Sequence, residues 1–458
     1  MLPDRRYYKI TGKAPLSGEV SVTGAKNAIT KQLVASLLTT EPCIFNNVPK
    51  IKEIDKVLEM LGELGSVYEW LDEHTLKIQT LEIKYARVNP RFQRYNRIPI
   101  LLLGPLLHRV GRASVPIPGG CKIGSRPVDF HLLALESMGA RISSPDNKDY
   151  DAMGNGPTGK GLVLPSSIPG QGIINIVLPY PSVGATENII LAAVLAKGVT
   201  SIFNAAIEPE VWDTIIFLQK MGAKIRKDGD RCITINGVEG LNGASHHTIP
   251  DRIEAASFAS LALATNGRIF IRNASDEHMA SFLDKFSLAG GGYECCADGM
   301  MFFQSKQNIQ PVHIETDVHP GFMTDWQQPL AVALTQANGT SVIHETVYEK
   351  RFDYTSDLNT MGAKTDLLPF CLGASCRFHD KNYFHSCVIS GPSKLSGSKI
   401  HIPDLRAGFA YIIAALIAEG TSCISGIEYL ERGYANIPEK LAAIGAKIEV
   451  EAKQFPPP

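Results

Sequence analysis

The sequence predicts an α/β (α+β) protein of two similar lobes, each made from three βαβαββ repeats, and three observations carry that prediction. An amphipathic helix ending in Gly, mostly followed by Ala and then by an alternating strand, recurs six times, at Gly65, Gly139, Gly222, Gly290, Gly362 and Gly445. Ahead of each copy an apolar helix runs through a turn into a β-rich segment. The spacing of the copies, about 75 residues, is that of a whole supersecondary unit and accounts for the full chain.

Taken in order, the apolar helices are KQLVASLL before Thr39, ILLLGPLLHRVG before Arg112, ENIILAAVLAKG before Val199, AASFASLALATNG before Arg268, PLAVALTQANG before Thr340 and AYIIAALIAEG before Thr421. A helix apolar all round must be surrounded by protein. The Gly that ends five of them predicts a left-handed C-cap releasing the chain into a strand. The strands that follow, such as TSIFN and RIFIRN, are rich in β-branched and aromatic residues. Three repeats sharing their buried helices close around one core, so six give two lobes, with the active site expected in the cleft between them.

At 458 residues the chain is too long for one ordinary core. Its 45 basic and 46 acidic residues leave a net charge of -1, which supplies no global field for nucleic acid or an anionic membrane. An anionic ligand must then be met by a local cluster. Nine dilute cysteines favour reduced thiols. Among them Cys371, Cys376 and Cys387 stand near His379 and His385 at spacings that match no common zinc pattern, which predicts structural thiols and no metal. The N-terminal segment lacks the apolar stretch of a signal peptide, and no run approaches the ~20 apolar residues that span a bilayer. Both features predict a cytoplasmic protein.

The chemistry-bearing stretch is PGGCKIGSRPVD, from Pro118 to Asp129. Cys121 follows two glycines and precedes Lys122 and Arg126, so its thiolate is favoured electrostatically and its backbone is free to move. That combination suits a mobile, reactive lid. A second glycine-rich stretch, GNGPTGKG from Gly154 to Gly161, nearly spells a phosphate-binding loop, but Gly161 replaces the magnesium-binding Ser or Thr. No strand is expected before it, so it reads as a flexible connection.

These repeats, GAKNA at Gly24 to Ala28 and the Cys121 stretch together resemble the enolpyruvyl transferases. Further similar segments are LGPLLHRVG, YPSVGATENI, PDRIE, HPGFMTDWQQP, DLRAG and ERGY, and the resemblance covers essentially the full length. It implies two inside-out α/β barrels, with the chain starting in one lobe, building the other, and returning. The implied domains are 1–25 plus 250–458, and 26–249. The implied reaction moves the enolpyruvyl group of phosphoenolpyruvate to the 3-hydroxyl of UDP-N-acetylglucosamine, releasing phosphate through a tetrahedral intermediate, as the first committed step of peptidoglycan synthesis. No cofactor is implied.

The same resemblance assigns the site residues. Lys26, Arg97 and Arg126 match positions that hold phosphoenolpyruvate, and Arg406 and Arg432 match those near its carboxylate and phosphate. Guanidinium forks suit such anions. Asp325 is the candidate to orient and deprotonate the sugar hydroxyl. As an N-cap to a helix beginning at Trp326, it would also sit in a positive dipole that weakens it as a base. Cys121 matches the lid thiol implicated in acid catalysis, product release and alkylation by fosfomycin. Asn27, the segment Arg126, Pro127, Val128, Asp129 and Phe130, the turn Ser182, Val183 and Gly184, and Val347 match nucleotide-sugar contacts, with Asp404 supporting the arginines. Ile207 departs from the family's usual Arg before EPE, and Glu53 from the usual Asp after NVP, which puts local loop contacts in question. Other acceptors, a different uridine nucleotide or shikimate 3-phosphate, and a catalytically silent nucleotide-sugar-binding homologue remain the alternatives. Oligomeric state is not legible.

Overall fold

A computed structural model describes residues 6–14, 16–119, 127–165 and 172–452, with only the backbone of Arg94 and Arg406. Cys121, Lys122, Arg126 and the tail from Gln454 lie outside the described residues. The chain divides into two compact units, one of residues 24–119 and 127–249, the other of 6–23 and 250–452.

The inserted unit holds three open sheets and the discontinuous unit another three. In a complete repeat the first strand pairs parallel to the second, the second pairs antiparallel to the fourth, and the fourth pairs antiparallel to the third. The repeat of Ile173–Val177, Val199–Phe203, Lys224–Gly229 and Cys232–Asn236 shows this order in contiguous sequence. Others borrow strands. Arg6–Thr11 lies antiparallel between Thr421–Ser425 and Lys447–Ala452, completing the last repeat, while Ser17–Ser21 pairs parallel to Arg268–Arg272 and opens an earlier one. In the inserted unit Ser245–His247 returns beside Cys43–Asn46. The repeat around Arg112–Pro116 departs from the expected pattern, because its first strand shrinks to a single parallel bridge, Arg87 to Ser114, leaving a three-stranded sheet.

The helices Arg252–Ala264, Thr324–Leu334 and Leu405–Ile417 pack on one another at the centre of the discontinuous unit, and its sheets lie against them. Every residue from Arg252 to Leu263 is buried. Each large apolar side chain buried this way contributes about 1.5–3 kcal/mol. In the inserted unit Leu103–Val110 packs on Val183–Ala193, while Lys26–Ala35 packs on the helix Pro209–Lys220 and on the turn Ile98–Leu102 that leads into Leu103–Val110. The expected inside-out arrangement is therefore one of helices within and separate sheets without; the described strands close no continuous barrel.

All six glycines that end the amphipathic helices have positive φ, between 91° at Gly445 and 117° at Gly65. The apolar helices follow the same rule at Gly111, Gly198, Gly339 and Gly420, with one exception. At the ATNG turn the left-handed residue is Asn266, at φ 50°, rather than Gly267. Asn tolerates this region because its short amide bonds locally. A strand, Asp149–Met153, also leads into GNGPTGKG, contrary to expectation. Its alternation is weak, and pairing on both sides, with Arg112–Pro116 and Arg141–Ser143, makes it extended. Among the described residues the next element is the strand Ile173–Val177 rather than a helix, and the amides of Gly154 and Gly161 are spent on the carbonyls of Gly111 and Leu107. No described helix is long and apolar enough to cross a membrane.

Candidate active site

In the inserted unit, Lys26 and Asn27 open the helix Lys26–Ala35. A buried network fixes that helix to the returning strand. Gln32 donates to Asp213 Oδ2 at 2.6 Å, Thr248 donates to Gln32 at 2.9 Å, and His246 Nε2 meets Asp213 Oδ1 at 2.9 Å. The amide of Ala25 also donates to Ile249 at 2.7 Å. Lys26 is half-buried and thus stands on a braced helix start rather than a loose loop.

Arg97 precedes the turn Ile98–Leu102, and its guanidinium donates to the carbonyl of Pro127 at 3.4 Å. The bond joins two sequence-predicted segments. Within the second, Pro127 and Asp129 are exposed, Phe130 is half-buried and Val128 is buried at the head of the helix Asp129–Ser137. Ser182 caps Val183–Ala193, its hydroxyl accepting from Ala185 N at 3.4 Å. A Cβ on Gly184 would come within 3.3 Å of the His131 ring, so the turn is held against that histidine. His131 is buried and its Nδ1 lies 3.1 Å from Asn188. Sequence reading missed His131, because nothing local in FHLL marks a packed ring at a distant helix start.

Behind this turn Glu187 is fully buried, with Lys31 Nζ 3.6 Å away. Burial pushes its carboxyl up to about 7, Lys31 opposes the rise, and Glu208 and Glu210 add to it. The EPE segment, where Ile207 replaces the family's Arg, therefore bears electrostatically on the helix of the candidate diphosphate turn.

In the discontinuous unit, the helix of Asp325 begins at Thr324 with Met323 as N-cap, two residues earlier than the sequence suggests. Asp325 is therefore in the first turn and is not the cap. Its carboxylate pairs with Arg351, whose side chain is only 2 % exposed. Burial opposes the charge on Arg351, yet Asp325, Asp404 and Glu345 together raise its pKa. The pairing was not legible in sequence, since Arg351 lies in a polar loop with no motif. Glu345, fully buried, accepts from Thr324 Oγ1 at 2.8 Å and Gln327 at 3.0 Å with one oxygen, and from the amides of Val347 and Tyr348 at 2.8 and 3.0 Å with the other. One carboxylate thus ties the Asp325 helix to the Val347 loop.

Asp404 stands before the helix Leu405–Ile417 and accepts from Ala407 N at 3.2 Å. It shares with Gln328, Lys350, Arg351 and Asp353 the wall of a small cavity of about 30 Å³, room for about one water. Arg406 lies in the first turn of that helix, with its side chain outside the description. Arg432 follows the short helix Ile427–Leu430, in a turn anchored by Tyr434 to Ser257 at 3.0 Å and by Glu431 to Arg6 at 2.9 Å. A wider cavity, about 660 Å³, opens along Arg272–Asp276 and Cys295–Met300, and no candidate residue lines it.

The cysteines divide differently from the sequence expectation. Cys387 is buried on its strand, whereas Cys371, Cys376 and His385 gather with His344, a residue the local spacing did not include.

The family model described as EPSP synthase (3-phosphoshikimate 1-carboxyvinyltransferase) matches residues 10–441. The UDP-N-acetylglucosamine 1-carboxyvinyltransferase of Protochlamydia amoebophila is 49% identical over 447 residues, 96% of this chain and 94% of that one. Its counterpart in Chlamydia pneumoniae is 48% identical, with 96% and 94% covered. Among solved structures, the enolpyruvyl transferase NikO from Streptomyces tendae superposes with a TM-score of 0.84 at 22% identity, covering 99% of this chain and all of that one. EPSP synthase from Acinetobacter baumannii follows at 0.72 and 17%, with 97% and 99% covered. The two structures establish likeness of fold, and the long high-identity alignments go further: this chain belongs to the EPSP synthase family of enolpyruvyl (1-carboxyvinyl) transferases.

Proposed function

We propose that the protein transfers the enolpyruvyl group of phosphoenolpyruvate to the 3-hydroxyl of UDP-N-acetylglucosamine, releasing phosphate, as a UDP-N-acetylglucosamine 1-carboxyvinyltransferase of peptidoglycan synthesis. The observation that carries this reading is the identity of 49% along 96% of the chain to a relative of that name. Likeness of fold to EPSP synthase at 17% identity does not compete with it.

In the proposed step the sugar oxygen bonds to C2 of phosphoenolpyruvate as its proton leaves to a base, and a proton adds to C3. The resulting tetrahedral adduct loses a proton from C3 and breaks its C2–O bond to phosphate. Lys26, Arg97, Arg126, Arg406 and Arg432 serve phosphoenolpyruvate, where fixed cations meet charge as it develops. Cys121 serves as the acid and is the site of fosfomycin alkylation. Asn27, Arg126 to Phe130, the Ser182–Gly184 turn, Asp325 and Val347 serve the nucleotide-sugar. The first-turn amides of an eleven-residue helix suit diphosphate oxygens.

The ion pair with Arg351 bears on the role of Asp325. A carboxylate held by a buried guanidinium is a poor proton acceptor and a good fixed hydrogen-bond acceptor. Asp325 therefore orients the hydroxyl more than it takes its proton, with Arg351 as its positioning residue. We place the reaction in the cytoplasm. Phosphate release with phosphoenolpyruvate and UDP-N-acetylglucosamine, UMP or shikimate 3-phosphate tests the reading: release is expected with the first acceptor alone, and preference for either other would overturn it.

A further inference from the structure

We propose that His344, Cys371, Cys376 and His385 bind one structural zinc ion in the discontinuous unit. Their ligand atoms all lie within 4.8 Å of one another. The two sulfurs are 3.7 Å apart, and Cys371 Sγ is 3.4 Å from His385 Nε2. A tetrahedron with Zn–S near 2.3 Å and Zn–N near 2.0 Å has edges of about 3.8 Å between sulfurs and about 3.5 Å between sulfur and nitrogen. The sulfur–sulfur and Cys371–His385 separations match those edges, and the remaining donor pairs, all within 4.8 Å, need close by no more than about 1 Å around an ion. Two thiolates and two imidazoles are the soft and borderline set that selects zinc over magnesium or calcium.

The surrounding contacts orient both rings toward the same point. His385 Nδ1 lies 2.7 Å from the carbonyl of Tyr383, which can only accept, so that nitrogen carries the proton and Nε2 presents its lone pair to Cys371. His344 Nδ1 lies 2.9 Å from Glu315 Oε2, a carboxylate also held by the amide of Ala374 at 2.9 Å. This is the carboxylate–histidine–metal arrangement that fixes ring orientation and basicity. His344 Nε2 is then buried with no hydrogen-bond partner. An unpaired buried acceptor is destabilising, and a metal ion removes that penalty. The amide of Phe378 donates to Cys376 Sγ at 3.3 Å and fixes the position of that sulfur.

The fold gives the ion a task. In sibling repeats the third and fourth strands join by tight reversals, as from Gly229 to Cys232 and from Cys296 to Gly299, whereas here residues 369–385 intervene. That insertion has little apolar interior. Phe378 is buried in it, while Phe370 and Phe384 are exposed. A metal supplies the cross-link that such a small segment lacks. His344 also adjoins Glu345, the carboxylate that ties the Val347 loop to the Asp325 helix, so the ion would brace one side of the proposed acceptor site.

Metal analysis of the full-length protein, purified reduced from zinc-supplemented cells, tests the inference without substrate. About one zinc per chain is expected, retained in Cys232→Ser and His379→Ala and lost in Cys371→Ser/Cys376→Ser and His385→Ala. Titrating the wild type with a mercurial should release zinc to a chromogenic chelator, which avoids dependence on variants that fail to fold. Cobalt(II) in its place should give thiolate charge-transfer absorption and an intense tetrahedral d–d band. A reduced wild type that takes up no zinc, a double variant with undiminished metal, a Cys371–Cys376 disulfide in the protein as purified, or a weak octahedral cobalt spectrum would each overturn it.

Discussion

Glu187→Gln should stabilise the protein at pH 8 and do little at pH 5. In the folded chain this carboxyl is raised by burial first, with Glu208 and Glu210 adding to the rise and Lys31 opposing it, from an ordinary 4.5 to about 7. Below pH 4.5 both folded and unfolded states hold the proton, and the group contributes nothing. Between 4.5 and 7 the unfolded chain loses its proton while the folded chain keeps it, so stability falls as pH rises. Above pH 7 the full penalty, about 3 kcal/mol, is present. The amide has no proton to lose. Guanidinium unfolding of wild type and variant at four pH values between 5 and 8 reads the difference, in which other titrating groups cancel. The variant's advantage should grow with pH toward about 3 kcal/mol, less whatever Lys31 loses with its partner. A constant difference across pH, or a wild type that gains on the variant above pH 7, would show that the Lys31–Glu187 pair outweighs burial and would refute the reasoning.

The Arg351–Asp325 pair makes a sharper demand. Arg351→Met should destabilise by about 3 kcal/mol by stranding Asp325, and adding Asp325→Asn should restore much of the stability but none of the turnover; equal melting of single and double variants would dismiss the pair. Lys26→Ala should raise KM for phosphoenolpyruvate and lower kcat by at least tenfold, with stability changed by less than about 0.5 kcal/mol at this half-exposed helix start. Unchanged turnover would remove Lys26 from the site. Cys121→Ser should abolish fosfomycin labelling by mass spectrometry, and persistent labelling would place the reactive thiol elsewhere.

Much of the fold was legible because its signals are local. A left-handed cap needs Gly or Asn, and the six helix-ending glycines adopt that conformation as the sequence suggests, while at Asn266 the neighbouring residue takes the role. An all-apolar helix can only be internal, and the helix from Arg252 is so. What stayed hidden depends on pairing over distance. Asp149–Met153 is a strand because two partners make it one, and Arg87 reduces a strand to a bridge for want of a longer match. Among the candidate residues, motif segments were visible, but Arg351, His131 and Glu345 act through neighbours that no spacing reveals. His344 belongs with Cys371 and Cys376 because register sets it opposite Ser386, beside His385.

The borrowed strands bear on how the chain is made. Arg6–Thr11 leaves the ribosome long before Thr421–Ser425 and Lys447–Ala452, the two strands it lies between. At translation rates of about 5–20 residues per second, it waits roughly 20–80 s with both edges unsatisfied. The inserted unit is synthesised entirely within that interval. Nascent chains should therefore pass through a stage with one finished half and one open template, which is the stage at which a chaperone would be needed and truncation would favour aggregation.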